Sequence, residues 1–443
     1  STINSSGSLT AHGNTNASTQ SPFDDPEGFK FGEEGDQNII KCGFYKGNGS
    51  TQNIDVGFEP QWVMIKNLDY GSGWWTIADS MRGAANRPGD NDQMALFPND
   101  NSQETTGNYV GMYSRGFKLL GGESSTNRNG DYHVYVAIRR PDGLVGKPPS
   151  AGNEVYTQVY GTANNDIPAF NSGFVTDFTF FKEPAGTGSW FTQERLHGVG
   201  YMVNSTSAAE TDSGNNTWDF MDGYYKATGS WSSYMNWMWK RGAGFDVVTY
   251  KGTGGVRNIP HNLSKIPEMV WFKRRDSAYN WGVYHKGLNG GTNPHDYYLQ
   301  LNTAVTEQND PYVLREAPTS THFKVGNSQY TNVNNGTYIS MLFASTAVSK
   351  VGYYAGNGST QTISLGFQPR FAIVKPLISG YDWYVVDTTR GWGSGNDNYM
   401  FLNGQNVQAP SSFGEPTSTG WLLDGNATHL NASGQNYIYY AHA

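Results

Sequence analysis

The chain has 443 residues and a net charge of −8, from 30 Lys and Arg against 38 Asp and Glu; 37% of it is hydrophobic, 14% aromatic and 15% charged, and it holds 55 glycines. That charge, with no basic stripe, argues against a nucleic-acid partner and gives no attraction to an anionic membrane. No apolar run approaches the ~18–20 residues that span a bilayer. The abundance of Tyr, Trp, Asn, Thr, Ser and Gly suits half-buried strands joined by tight turns and suits helices badly. Cys42 is the only cysteine, so no intramolecular disulfide framework exists, and it reads most simply as a small core residue. The chain starts at Ser1 without a charged-then-apolar leader, which reads as a processed chain or one numbered from within a longer protein.

In chain order, residues 1–38 are rich in Ser, Asn, Thr and Gly and read as a polar arm that orders only on contact with a partner. A first repeat follows over 39–145. Its segment Gly43–Lys66 reads GFYKGNGSTQNIDVGFEPQWVMIK, then come Trp75, Asp79, Arg82 and Gly83, and NGDYHVYVAI closes it at Asn129–Ile138. Arg139–Gly152 reads as a linker. A diverged second repeat over 146–243 lacks the GNGSTQ turn but has FVTDFTFFK at Phe174–Lys182, Trp190, Arg195 and the closing SYMNWMWKR at Ser233–Arg241. A third, over 244–348, runs TYKGTGGVRNIPHNLSKIPEMVWFK to Lys273, with Trp281 at the tryptophan position, His285 in place of the aspartate, and NGTYISMLFA at Asn335–Ala344. The fourth, over 349–443, repeats the first most closely: GYYAGNGSTQTISLGFQPRFAIVK at Gly352–Lys375, then Trp383, Asp387, Arg390 and Gly391, and SGQNYIYYAHA from Ser433 to the end.

Within each repeat the apolar period is two. QWVMIK (Gln61–Lys66) and RFAIVK (Arg370–Lys375) are nearly continuous apolar runs, as in strands covered on both faces. Glycines in GNGST permit positive φ, Pro60 and Pro369 stand where a missing N–H costs least, and the Asn-Gly steps signal hairpins. The expected fold is all-β: four tandem β-sandwiches, with Trp75 on Trp383 and Lys66 on Lys375.

The combination G-N-G-S-T-Q-x-I, G-F-x-P, a strand ending in Lys, W…D..RG and a closing Y-I-Y-Y-A resembles a repeat domain of marine bacteriophage (cyanophage-type) virion structural proteins, including tail-fibre-like and head-appendage proteins. It also looks like a member of the concanavalin/laminin-G-like jelly-roll class. The first and last repeats carry the resemblance closely, the third loosely and the second faintly. It implies virion assembly or host-surface contact, and it brings no catalytic residues.

Read from the residues, Asp79–Arg82 and Asp387–Arg390 are ion pairs that fix a turn, a role in which His285 can stand in. Asp92, Asp296 and Asp397 recur in NDQMALF, HDYYLQL and NDNYMFL; such oxygen-rich loops hold Ca²⁺ in some jelly rolls, which makes calcium the one candidate cofactor, against a turn-capping role. The nine histidines form no zinc motif, and no nucleophile elbow or P-loop occurs. Trp74, Trp231 and Tyr354 are the candidates for stacking on glycan, within a wider set of Trp75, Trp237, Trp239 and Tyr353; packing in the sandwich cores is the competing role. The expected function is a non-enzymatic virion structural protein, a tail fibre or a head or tail appendage or decoration. Its expected partners are capsid or tail proteins, further copies of itself (a trimer favoured) and host surface glycan. A carbohydrate-binding adhesin or receptor-binding fibre is the alternative, and a polysaccharide depolymerase the third.

Overall fold

The computed structural model describes residues 39–443 apart from 83, 85–92, 114, 140–148, 150, 164–165, 199, 213–217, 219, 226–228, 243, 264 and 426–427; within 1–38 it describes only the paired strands Thr2–Ile3 and Leu9–Thr10. Apart from those two strands the polar arm, and with it most of the 139–152 linker, Gly83 and Asp92, lies outside the described residues. The protein is all-β, with 43% of residues in strands and 5% helical. Gln61–Lys66 lies within the strand Pro60–Asn67, as its apolar pattern requires.

Each repeat builds a large antiparallel sheet by one rule: the opening strand pairs with the closing strand, the closing strand with the lysine-ended strand, and that strand with the one after the tryptophan. In the first repeat these are Ile40–Lys46, Tyr132–Arg139, Pro60–Asn67 and Trp75–Asp79. In the second they are Tyr156–Tyr160, Met235–Trp239, Phe178–Lys182 and Phe191–Glu194. The third uses Phe245–Lys251, Thr337–Phe343, Met269–Arg274 and Gly282–His285. The fourth uses Ser349–Ala355, Asn436–His442, Phe371–Pro376 and Tyr384–Asp387. Two further strands extend each of the last three sheets to six.

A small sheet covers one face of each large one. In the fourth repeat it comprises Gln361–Ser364, Gly420–Leu423 and Glu415–Thr417, and the two sheets enclose Phe367, Val374, Trp392, Phe413, Trp421 and Tyr437. The third and second repeats enclose cores of their own in the same way, around Phe272 and Phe323 and around Phe170 and Trp218. Gly43 and Gly352 are required here, because a Cβ at either would meet the ring and hydroxyl of Tyr135 or Tyr439 across the strand pair.

The other face of the large sheets decides how the repeats assemble. In the second, third and fourth repeats these faces turn toward one another and share a single buried cluster that includes Phe178, Phe180, Trp239, Phe245, Trp271, Phe343, Phe371 and Tyr440. Ring centroids of Phe178 and Phe245 lie 5.1 Å apart, those of Trp239 and Phe371 5.5 Å, and those of Phe343 and Tyr440 4.9 Å, so each pair of repeats touches through aromatics. Trp237 and Trp239, candidates for glycan stacking in the sequence, are fully buried at this centre because their strand has apolar partners on both faces.

The three repeats are also linked in a closed cycle of hydrogen bonds. Trp190 Nε1 of the second repeat donates to the Phe401 carbonyl of the fourth (2.8 Å), Trp383 of the fourth to Gln300 of the third (3.0 Å), and Trp281 of the third to Val203 of the second (3.1 Å). A second cycle runs through the same three interfaces. Pro184, Arg275 and Leu377, each two residues past its strand-end lysine, accept at their carbonyls from Gln408 N, Glu210 N and Thr306 Oγ1. Both cycles close after three steps, which makes the arrangement a quasi-threefold ring.

The first repeat joins this body differently. The shared cluster includes its sandwich interior, Val63, Ile65, Phe117 and Tyr135, rather than the second face of its large sheet. Arg241, buried at the junction, pairs with Glu59 of the first repeat and, at 2.7 Å, with Asp246 of the third.

Two outcomes follow. Calorimetry should give one cooperative transition for the second to fourth repeats, and Trp271→Ala, at a cost of about 3–5 kcal/mol, should lower its midpoint as a whole; three separable transitions would contradict a shared core. Arg241→Ala removes the buried cation that joins Glu59 of the first repeat to Asp246 of the third and should cost about 3–5 kcal/mol, read as earlier unfolding of the first repeat in denaturant.

Candidate functional site

The repeated sequence motifs resolve first into scaffolding. In GNGSTQ, Asn48 Oδ1 accepts from Ser50 N (2.8 Å) and Asn357 Oδ1 from Ser359 N (2.8 Å), so the asparagine amide holds the turn. The turn is then tied to the loop before the closing strand by an asparagine that the sequence reading passed over. Asn127 Oδ1 accepts from Asn48 N and Gln52 Nε2, while its Nδ2 donates to the Ser50 and Gly121 carbonyls. Asn431 repeats these contacts with Asn357, Gln361, Ser359 and Asp424, and Asn332 accepts from Thr253 N and donates to the Gly255 carbonyl. The signal was present as an asparagine three or four residues before the glycine of each closing turn.

The lysine that ends each third strand cages the loop after it. Lys182 Nζ donates to the carbonyls of Gly186 (2.9 Å) and Gly188 (2.6 Å) and crosses to Gln405 of the fourth repeat; Lys273 donates to Arg274 and Tyr279 and reaches Ser207 of the second. Burial pushes Lys273 and Lys375 down to about 8.

The Asp–Arg pairs hold turns. Asp387 Oδ1 accepts from Arg390 N (2.9 Å) and Oδ2 from Arg390 Nε (2.6 Å), and Asp79 does the same for Arg82 at 2.9 and 2.7 Å. Trp237 Nε1 of the second repeat also donates to Asp387 Oδ2 (3.2 Å), so this carboxylate serves the ring as well as the turn. His285 fills the same position: Nδ1 accepts from Gly287 N (2.9 Å), which leaves Nε2–H to donate to the Tyr439 carbonyl of the fourth repeat at 3.3 Å. Burial holds its pKa down at about 3.

Of the three aspartates with calcium-type surroundings, Asp92 lies outside the described residues. Asp397 is buried with both oxygens engaged, Oδ1 by Gly393 N (2.8 Å) and Oδ2 by Phe413 N (2.9 Å); burial raises it to about 6. Asp296 ends a 3₁₀ turn beside His295. Among the described residues no three His, Cys, Asp or Glu side chains come together as a metal site.

The glycan candidates separate. Tyr354 is half-buried: its hydroxyl donates to the Leu430 carbonyl (2.7 Å) and its ring stacks on Tyr437, as the Tyr45 hydroxyl is tied to Thr126 in the first repeat. Trp231, also half-buried, packs against Tyr225 and Tyr234 in the core of the second repeat. Trp74 is 44% exposed, with its ring 4.6 Å from that of Phe97.

Of the aromatic candidates, Trp74 and Trp75 of the first repeat and Tyr353 of the fourth remain exposed. A cleft of about 590 Å³ opens between the first and second repeats, lined by Trp62, Asp79 and Arg82 on one wall and Asp177, Arg195 and Lys240 on the other. Asp79 is neutralised by Arg82, and Asp177 by Arg195 at 3.2 Å. Charges paired in this way accept and donate hydrogen bonds, and beside an indole they suit a neutral hydroxylated ligand. Cys42, expected in a core, is instead exposed on the large sheet of the first repeat. Trp75 is likewise exposed, although its counterparts Trp190, Trp281 and Trp383 are fully buried.

A family model described as a domain of unknown function (DUF7483) matches residues 33–140 and 152–443. No curated protein matches the chain.

The buried titratable groups set the acid response. His285 and His442 both stand near 3 in the fold against about 6.5 unfolded, so the unfolded chain takes up their protons first and stability falls as pH drops from 6.5 toward 3. Asp397, raised to about 6, acts oppositely: its contribution is full below 3.8 and lost as pH rises through 6. Two histidines outweigh one aspartate. Urea midpoints should therefore fall between pH 7 and 4.5, and His285→Gln should make that fall shallower; an unchanged slope would show that His285 takes up its proton without unfolding.

Proposed function

Given that the chain belongs to the DUF7483 family, whose function is unknown, we propose that it is a non-enzymatic virion structural protein of a bacteriophage. It serves as a tail fibre or as a head or tail appendage or decoration, with capsid or tail proteins as neighbours and the virion as its location. The observation that carries this reading is the ring of three repeats closed by two cycles of hydrogen bonds around one core. Such a body is a rigid building element, in which Asp387, Arg390, Glu210 and Arg275 serve turns and the interfaces between repeats. The GNGSTQ, GFxP and W…D..RG motifs, with their resemblance to jelly-roll repeats of marine phage particles, add the context.

A carbohydrate-binding adhesin or receptor-binding fibre is the second reading. It is favoured by the cleft at Trp62, where paired charges and an indole offer a surface for sugar hydroxyls and ring faces.

Mass spectrometry of purified particles should find the chain at stoichiometric copy number, and imaging should place it on the particle surface; its absence from particles would end the virion reading. Glycan arrays should separate the second reading. Binding reduced tenfold or more by Trp62→Ala or Trp74→Ala would establish a receptor site, whereas product release from host polysaccharide, abolished by one Asp or Glu substitution, would make the protein a depolymerase.

A further inference from the structure

We infer that three copies of this chain associate through the face of the first repeat's large sheet that carries Ile40 and Phe44, as the second, third and fourth repeats associate within one chain. The inference is independent of where the protein acts.

Strand register makes the faces comparable position by position. Trp62, opposite Asp79, stands where Phe178, Met269 and Phe371 stand opposite Glu194, His285 and Asp387. Val136, between Cys42 and Met64, stands where Trp237, Met341 and Tyr440 stand in their sheets. The counterparts just named on the third and closing strands belong to the buried centre. In the first repeat the same face carries Ile40 and Phe44, 59% and 72% exposed, and beside them the half-buried Met64, Ile77, Val136 and Trp62, the last at the edge that borders the cleft to the second repeat. An apolar sheet face of this extent marks an interaction surface.

The partner is specified by the polar groups at its edge. Trp75 N donates to Asn99 Oδ1 (2.8 Å), as Trp281 N does to Asn302 (3.0 Å) and Trp383 N to Asn403 (2.9 Å), so its backbone is set as in the ring. Its indole is 37% exposed, against at most 1% for Trp190, Trp281 and Trp383. The acceptor position is present too. Leu96 faces Ile77 as Met400 faces Val385, which puts the Phe97 carbonyl where Phe401 accepts from Trp190. Phe97 and Phe401 carbonyls also accept the same local bond, from Asp100 N and Gly404 N. Donor and acceptor thus sit on one repeat, on a head-to-tail surface. Identical copies that dock as the second to fourth repeats do satisfy every donor and acceptor in a ring that closes at three. Trp75 Nε1 of one chain then donates to Phe97 of the next, and Cys42 lies in the covered face.

The test is the mass of the full chain in solution together with the reactivity of its single thiol. At tens of micromolar, sedimentation should give three times the chain mass of 48.7 kDa. Cys42 should label slowly with a maleimide and at least tenfold faster once dilution dissociates the trimer. Phe44→Glu and Val136→Glu should each yield monomers with an unchanged circular dichroism spectrum and a fast-labelling thiol. A wild-type chain that is monomeric or dimeric at that concentration overturns the inference, as does a trimer that survives both substitutions. A monomer whose Cys42 is protected also overturns it, by assigning the face to another part of the same chain.

Discussion

A β-sheet has two faces, and in this protein the small sheets cover only one of them. Nearly everything else in the architecture answers to the second face. Phe180, Trp237 and Trp239, or Phe371, Ile373 and Tyr440, would otherwise stand in water, and burying each large side chain is worth about 1.5–3 kcal/mol. No single repeat has residues to spare for a third layer. Three repeats solve the problem together, each acting as the missing layer for the other two.

Apolar burial alone would let the sheets slide over one another. The indole N–H groups fix the orientation, because a buried donor without a partner is costly and each finds a carbonyl on one neighbour only. The strand-end lysines add to this. Lys182 and Lys273 are directed by their own loops and then reach across the boundary, so the loop fold and the packing of the repeats depend on each other. The position filled by Asp387, which serves a turn and Trp237 at once, has the same double duty.

The strands were legible because their signals are local. QWVMIK and RFAIVK announce strands apolar on both faces, and GNGSTQ announces the turn before them. The Asp79–Arg82 and Asp387–Arg390 spacing gave the turn pairs for the same reason. What covers the second face is a property of distant chain segments, and no periodicity encodes it. Trp75 and Trp383 align in sequence, yet one faces water and the other lies in the core. Cys42 was misplaced for that reason, whereas for Trp237 and Trp239 core packing, the role weighed against glycan stacking, is the one the structure shows. Asn127, Asn332 and Asn431 were hidden differently: in a chain so rich in asparagine their recurrence does not stand out until their hydrogen bonds are seen.

Joining three repeats in one polypeptide changes how the ring responds to concentration and to mutation. A ring of separate subunits comes apart on dilution, whereas this one carries its own effective concentration in its connecting segments and stays closed at any abundance. Separate coding also frees the three positions from one another. In a homo-oligomer one substitution is imposed on every copy at once; here the equivalent position holds Glu194, His285 and Asp387, of which His285 bonds the fourth repeat and Asp387 the second. The fused ring is therefore a symmetric scaffold whose outer surfaces can diverge one at a time.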